Sequence, residues 1–168
     1  MEFAELRKLK PKYNFDLTLG DFERLRDTAY GICVDVGTRE GTSAYAMSLN
    51  ATHVFTIDIQ RLPHMFGERP NITFVQGEST EIAKQWKKEI DVLFIDASHD
   101  YDSVKNDIKA WTLLVKDGGW VMLHDFDLSS PGVMQASIEY VISVHTREIY
   151  WPREGVTSVL KVRHKKHA

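Results

Sequence analysis

The amino-acid sequence predicts an α/β protein, built on a mostly parallel sheet with helices on both faces. Three observations predict it. Strand-like and helix-like stretches alternate five times along the chain, the order that makes parallel strands joined by crossover helices. The fourth strand-like stretch, Asp91 to Asp96 (DVLFID), is apolar throughout its middle, as a strand covered on both faces requires. The last two strand-like stretches are joined by Pro152-Arg153-Glu154-Gly155, a short, turn-rich connection that makes an antiparallel hairpin.

With 168 residues the chain fits one domain, with an N-terminal extension and helix over 1–30 and a core over 31–168. Residues 1–18 are weakly patterned, with Pro11 and Asn14 as breakers. From Leu19 to Ala29, Phe22, Leu25 and Ala29 share one helical face, and Gly31 sits where that helix should end. Ile32, Cys33 and Val34 begin a buried first strand that ends on Asp35 and enters the turn Gly37-Thr38-Arg39-Glu40-Gly41. Gly37 and Gly41 can take positive φ or admit a ligand close to the backbone. Thr42 or Ser43 can cap the helix expected over 42–50.

His53 to Asp58 is a second strand that ends on an acid, and Arg61 to Pro70 reads as a loop. Ile72 to Val75 is a third strand. Ser79 or Thr80 can cap the following helix, in which Ile82, Trp86 and Ile90 share a face. After the fourth strand, Tyr101 to Val115 is the clearest helix, with Val104, Ile108, Trp111 and Val115 at helical spacing and Asp117-Gly118-Gly119 as its stop. Trp120 to Asp125 is a fifth strand. Met134, Ile138, Val141 and Ile142 mark a last helix, and His145–Trp151 and Val156–Val162 are the hairpin strands.

Composition narrows the function. Apolar residues at 43% and charged residues at 27% suit a globular protein. A formal net charge of −3 leaves no electrostatic footprint for non-specific nucleic-acid binding, and Arg163 to His167 reads as a short solvated end. The single cysteine, Cys33, lies inside a strand and is expected to be a buried structural thiol, which fits a reducing compartment. No apolar run approaches the roughly 18 residues of a membrane span, and the N-terminus has no signal-peptide core. A cytoplasmic protein without a membrane partner is the expectation.

Right-handed crossovers bring the C-terminal ends of the parallel strands to one rim. Asp35, Asp58, Glu78 with Ser79, Asp96, and His124 with Asp125 are therefore neighbours. Any one of them can be a helix cap or a solvated loop acid; the set points to a ligand site. Asp58 lies roughly 20 residues past the glycine turn, where an acid accepts hydrogen bonds from ribose hydroxyls. The turn lacks the G-x-G-x-x-G spacing that seats a pyrophosphate, and Glu40 would repel one. An adenosyl cofactor without phosphates fits better than a dinucleotide, which argues against an oxidoreductase.

The stretches DVGTREGTS, FIDASHDYDSVKNDIKAW and GGWVMLHDF resemble class I S-adenosylmethionine-dependent methyltransferases, over about Ile32 to Asp125. The likeness is greatest to the small group related to catechol-type and sugar O-methyltransferases. The resemblance implies a Rossmann-like three-layer sandwich with a seven-stranded sheet, its last strand antiparallel and inserted between the fifth and sixth. It implies that Asp35, Gly37 and Gly41, with Thr42 and Ser43 behind them, line the methionine part of S-adenosylmethionine. Asp58 would hold the ribose, Ile59 would also belong to the cofactor site, Glu78 and Ser79 would lie near the adenine, and Asp96 would border both cofactor and reacting groups.

Similar enzymes hold magnesium at positions matching Asp96, His124 and Asp125. Oxygen ligands suit Mg²⁺, whereas imidazole suits zinc, iron or nickel. His124 is therefore either a ligand of a divalent metal or a residue that caps the strand end or points into the core. His99 stands where catechol-type enzymes carry a catalytic lysine. It is either the base that deprotonates a substrate hydroxyl, beside Asp96, or a loop histidine bonded to a strand-end carboxylate. The expected activity is methyl transfer to a small-molecule hydroxyl, assisted by the metal or by His99. The alternative is a non-catalytic S-adenosylmethionine-binding module. Asp96-Ala97-Ser98-His99 differs from the Asn/Asp-Pro-Pro-Tyr turn of base-methylating enzymes, so no nucleic-acid acceptor is expected. With about 30 residues before the first strand, the substrate cleft is either open or completed by a second subunit of a homo-oligomer. Trp120, Phe126, Tyr150 and Trp151 are candidates for its walls or for ordinary packing.

Overall fold

The computed structural model describes residue 8 and residues 17–62, 67, 69–153 and 157–166. The expected breakers Pro11 and Asn14, part of the 61–70 loop and part of the Pro152–Gly155 turn fall outside them. In chain order the elements are α1 Leu19–Thr28, β1 Ile32–Val36, α2 Thr42–Ser48, β2 His53–Asp58, β3 Ile72–Gln76, α3 Ser79–Gln85, β4 Ile90–Ile95, α4 Tyr101–Thr112, β5 Val115–Leu123, α5 Pro131–Ser143, β6 Ile149–Tyr150 and β7 Leu160–Arg163.

The strands form one seven-stranded sheet in the order β3-β2-β1-β4-β5-β7-β6. The first five pair in parallel, and β7 runs antiparallel to both β5 and β6. The strand order reverses between β1 and β4, which opens a crevice at their C-terminal ends. All six residues of β4 are buried. Alternation then divides them: Val92 and Phe94 join Phe22, Tyr45 and Met122 on one face, and Leu93 and Ile95 join Ile108, Trp111 and Tyr140 on the other. Cys33 is fully buried, and burial pushes its thiol up to about 12, so it serves as packing.

Several local expectations are corrected. Helix α4 ends at Thr112, and Val115 already belongs to β5. Asp117-Gly118-Gly119 therefore does not stop the helix. It sits where the β4–β5 register shifts, and a Cβ on Gly119 would lie 2.7 Å from Val115 Cγ1 and 2.9 Å from Asp91 O. The glycine pair accommodates an irregular strand. Helix α2 ends at Ser48, and its N-cap is Gly41 at φ 83° with no side-chain cap. Thr42 and Ser43 are instead buried. Glu78, not Ser79 or Thr80, caps α3 by accepting from Glu81 N.

Helix α5 forms where expected but turns a different face inward. Val133, Ala136, Ser137 and Tyr140 are buried, whereas Ile138 and Ile142 are 40% and 70% exposed. Small Ala136 and Ser137 let α5 pack close against α4. The hairpin strands are shorter than expected, at Ile149–Tyr150 and Leu160–Arg163.

Candidate functional site

The ends of β1, β4 and β5 step across one another. Asp96 N donates to Val36 O at 2.8 Å and His124 N to Ile95 O at 3.1 Å, while Gly37 N donates to Ile57 O at 2.9 Å. The chain leaves β1 at Gly37 with φ 102°, and a Cβ there would lie 2.1 Å from the carbonyl oxygen of Asp96. Only glycine permits that approach. A cavity of about 270 Å³ opens at this point. Its walls include Gly37, Gly41, Thr42 and Ser43 from the turn, and Asp96, His99, His124 and Asp125 from the far side. These eight predicted site residues are brought together.

The other five, Asp35, Asp58, Ile59, Glu78 and Ser79, lie outside that wall. Asp35 is fully buried beneath the turn. It accepts a hydrogen bond from Thr56 Oγ1 at 2.5 Å and one from Ser43. Because Thr56 spends its proton on Asp35, Thr38 Oγ1 must donate to Thr56 Oγ1, 2.6 Å away. Burial pushes the Asp35 carboxyl up to about 7, against those hydrogen bonds and with the help of the nearby Asp96 and Asp58 charges. Asp58 accepts from Arg39 N at 3.0 Å and Gln60 N at 2.9 Å, tying the glycine turn to the end of β2. Ile59 is 64% exposed, and its carbonyl accepts from Gln76 Nε2. Ser79 Oγ accepts from Trp111 Nε1 at 2.7 Å, so that serine fastens α3 to α4.

On the far side of the cavity, His99 Nε2 lies 2.8 Å from Asp125 Oδ2, and the His99 side chain is 61% exposed. Asp125 takes φ 52°, which turns its carboxylate between two histidines. Its other oxygen is 3.1 Å from His124 Nδ1, and Asp96 Oδ1 is 3.3 Å from the same nitrogen. His124 Nδ1 is aligned for a hydrogen bond with neither. The ring is 5% exposed and packs edge-on against Phe94. Burial pulls the imidazole pKa down, but the carboxylates of Asp125, Asp21 and Asp96 outweigh it and hold it up at about 12. Burial raises Asp125, yet His124 and His99 bring it below the ordinary carboxylate range.

The opposite edge of His124 involves residues that the sequence did not single out. Nε2 lies 3.1 Å from Ser158 Oγ and 3.5 Å from Asp21 Oδ2. Asp21 is fully buried. It accepts from Thr157 Oγ1 at 2.6 Å, Ser158 N at 2.9 Å and Thr18 Oγ1 at 2.7 Å. Burial alone would raise its pKa; His124, Thr157 and Thr18 hold it well below the usual carboxylate range. The one sequence signal was Thr18-x-x-Asp21, a capping box that starts α1. That local role gives no hint of the contact with β5.

Comparison with known proteins decides the family. A family described as a methyltransferase domain matches residues 34–126, which run from the glycine turn through Asp125. The chain belongs to this methyltransferase family. By family and fold it is a class I S-adenosylmethionine-dependent methyltransferase. Cofactor-bound Rv0187 from MTB superposes with a TM-score of 0.74 at 14% identity, over 99% of this chain and 90% of that one. An O-methyltransferase from Bacillus cereus in complex with SAH superposes with a TM-score of 0.68 at 14% identity, over 98% and 89%. An rRNA methylase from Streptococcus thermophilus does so at 0.63 and 17%, over 88% and 94%. At such identities these likenesses show the fold. Among the described residues, no helix of the methyltransferase is long and apolar enough to cross a membrane.

Proposed function

We propose that this methyltransferase transfers the methyl group of S-adenosylmethionine to a hydroxyl oxygen of a small molecule, with His99 as the base. The observation that carries the reading is the His99–Asp125 pair, 2.8 Å apart on the wall of the cavity that the glycine turn opens. Asp125 accepts the Nε2–H of His99, which fixes the tautomer and leaves the Nδ1 lone pair to take a proton. The Gly37–Gly41 turn and the groups behind it seat the amino-acid end of the cofactor, and Asp58 receives its ribose. S-adenosylmethionine supplies a sulfonium methyl that accepts an oxygen nucleophile, with S-adenosylhomocysteine as the leaving group. The acceptor hydroxyl gives its proton to His99, and the walls hold the oxygen in line, so that proximity supplies much of the rate.

The residues also fit a divalent cation, because His124 Nδ1 is buried, faces two carboxylates and bonds to neither. Asp96, His124 and Asp125 offer ligand atoms within 4.8 Å of one another. A cation held there would lower the pKa of an approaching hydroxyl. A second cavity, of about 750 Å³, suits the body of the acceptor. It is walled by Phe126, Trp151 and Met134 and bounded by Ser158, with the two aromatic rings 5.7 Å apart. Trp120 and Tyr150 instead pack together, Trp120 being buried.

Calorimetry with S-adenosylmethionine and a methylation assay over a panel of hydroxyl compounds test the reading on native protein and His99→Ala. The expected result is unchanged cofactor affinity with a rate lowered by roughly 10²–10⁴-fold. Cofactor binding with no acceptor methylated by native protein would overturn it in favour of a non-catalytic binding module.

A further inference from the structure

We infer that the Asp96–His124–Asp125 centre is a nitrogen-bearing site for a borderline transition cation of the Zn²⁺, Co²⁺ or Ni²⁺ class rather than for Mg²⁺, and that Asp21 is the residue that positions its histidine. The inference rests on the cation-assisted reading of the same site.

The argument starts from the two ring nitrogens of His124. A histidine buried to this degree, with its side chain 5% exposed, needs a partner at each nitrogen. Nε2 has one: Ser158 Oγ at 3.1 Å, with Asp21 Oδ2 behind it at 3.5 Å. In the neutral imidazole that a cation binds, a hydroxyl and a carboxylate on that side favour the tautomer with hydrogen on Nε2. The lone pair then lies on Nδ1, the nitrogen that faces Asp96 and Asp125 and hydrogen-bonds to neither. If His124 served only as a cation among carboxylates, an Nδ1–H would point at one of them. Two carboxylates and an imidazole lone pair converging on one point are a ligand set. A carboxylate on the far ring nitrogen is the usual means of orienting a ligating histidine.

Asp21 is itself immobilised. Thr18 Oγ1, Thr157 Oγ1 and Ser158 N all donate to it, so the first turn of α1 and the segment before β7 hold the imidazole from behind. An imidazole ligand decides the class of cation. Mg²⁺ prefers oxygen and keeps much of its own water, whereas imidazole suits zinc and other first-row transition ions.

The test uses full-length protein stripped with a chelator, with Co²⁺, Zn²⁺, Ni²⁺ and Mg²⁺ titrated one at a time by calorimetry. Absorption of the bound Co²⁺ is read in parallel. One equivalent of Co²⁺ or Zn²⁺ should bind at least about tenfold more tightly than Mg²⁺, with Co²⁺ bands that report a nitrogen ligand. Asp21→Asn should weaken Co²⁺ roughly 10–100-fold and shift those bands. Ser158→Ala, which leaves the α1 cap intact, should shift them in the same direction. His124→Asp should move the preference towards Mg²⁺. Native protein that binds Mg²⁺ as tightly as Co²⁺ would overturn the inference and leave the cation-assisted reading standing. Native protein that binds S-adenosylmethionine but no cation would overturn both, leaving His99 alone. Unchanged Co²⁺ affinity and spectrum in Asp21→Asn and Ser158→Ala would remove the positioning role.

Discussion

Asp35→Asn should abolish a pH dependence of stability that lies under the glycine turn. Burial raises the Asp35 carboxyl from 3.8 to about 7. The folded protein therefore keeps a proton that the unfolded chain releases, and stability falls as pH rises from about 4 towards 7. Three pKa units at 1.36 kcal/mol each make the full effect about 4 kcal/mol, of which about 3 kcal/mol falls between about pH 4.5 and pH 7.5. Asparagine keeps an oxygen to accept from Thr56 and Ser43 but does not titrate. Any cost of its amide beside the position of Oδ1, which has no hydrogen-bond partner, is independent of pH. Urea denaturation of both proteins across that range reads the difference directly. The variant should gain about 3 kcal/mol on the native protein from the acid to the neutral end, or about 6–12 °C in Tm for a chain of this length. A difference between the two that is constant with pH would refute the reasoning, because the carboxyl would then titrate as it does in the unfolded chain.

Two further substitutions probe the same corner. Gly37→Ala places a Cβ 2.1 Å from the Asp96 carbonyl at φ 102°, so it should cost about 3 kcal/mol and lower Tm by about 6–12 °C in a thermal melt. A Tm within about 2 °C of native would show that β1 and β4 can separate at their ends. Asp58→Ala should weaken S-adenosylmethionine and S-adenosylhomocysteine roughly 10–100-fold by calorimetry, the loss of a charge-assisted hydrogen bond. NAD should bind neither protein, and tight NAD binding to native protein would contradict the reading of the glycine spacing.

Much of this corner was legible because it is written in local chemistry. The acids at the ends of β1, β2 and β4 follow apolar runs, and parallel topology alone makes strand ends neighbours. The turn between Gly37 and Gly41 argues against a pyrophosphate by its spacing and by Glu40. What was misplaced turned on competition between equally good local signals. Residues 131–143 carry two apolar stripes, and the periodicity of Ile138 and Ile142 marks a helix without saying which stripe meets α4. Thr42 and Ser43 are good capping residues by type, but the left-handed Gly41 already ends the turn, and Ser43 is drawn to Asp35.

The sequence by itself determined the sheet, its parallel strands and the rim on which Asp96, His99, His124 and Asp125 meet, because period-two burial and crossover handedness follow from residue order. Only the tertiary structure decided what those groups can do. It buried Asp35 beneath the turn instead of in the cavity, paired His99 with Asp125, and placed Asp21 behind His124, which is 103 positions away in the chain. No spacing rule links a capping acid in the first turn of α1 to the end of β5. The link exists because α1 and the segment before β7 pack over the same face of the sheet, and the desolvation there makes each of these contacts matter.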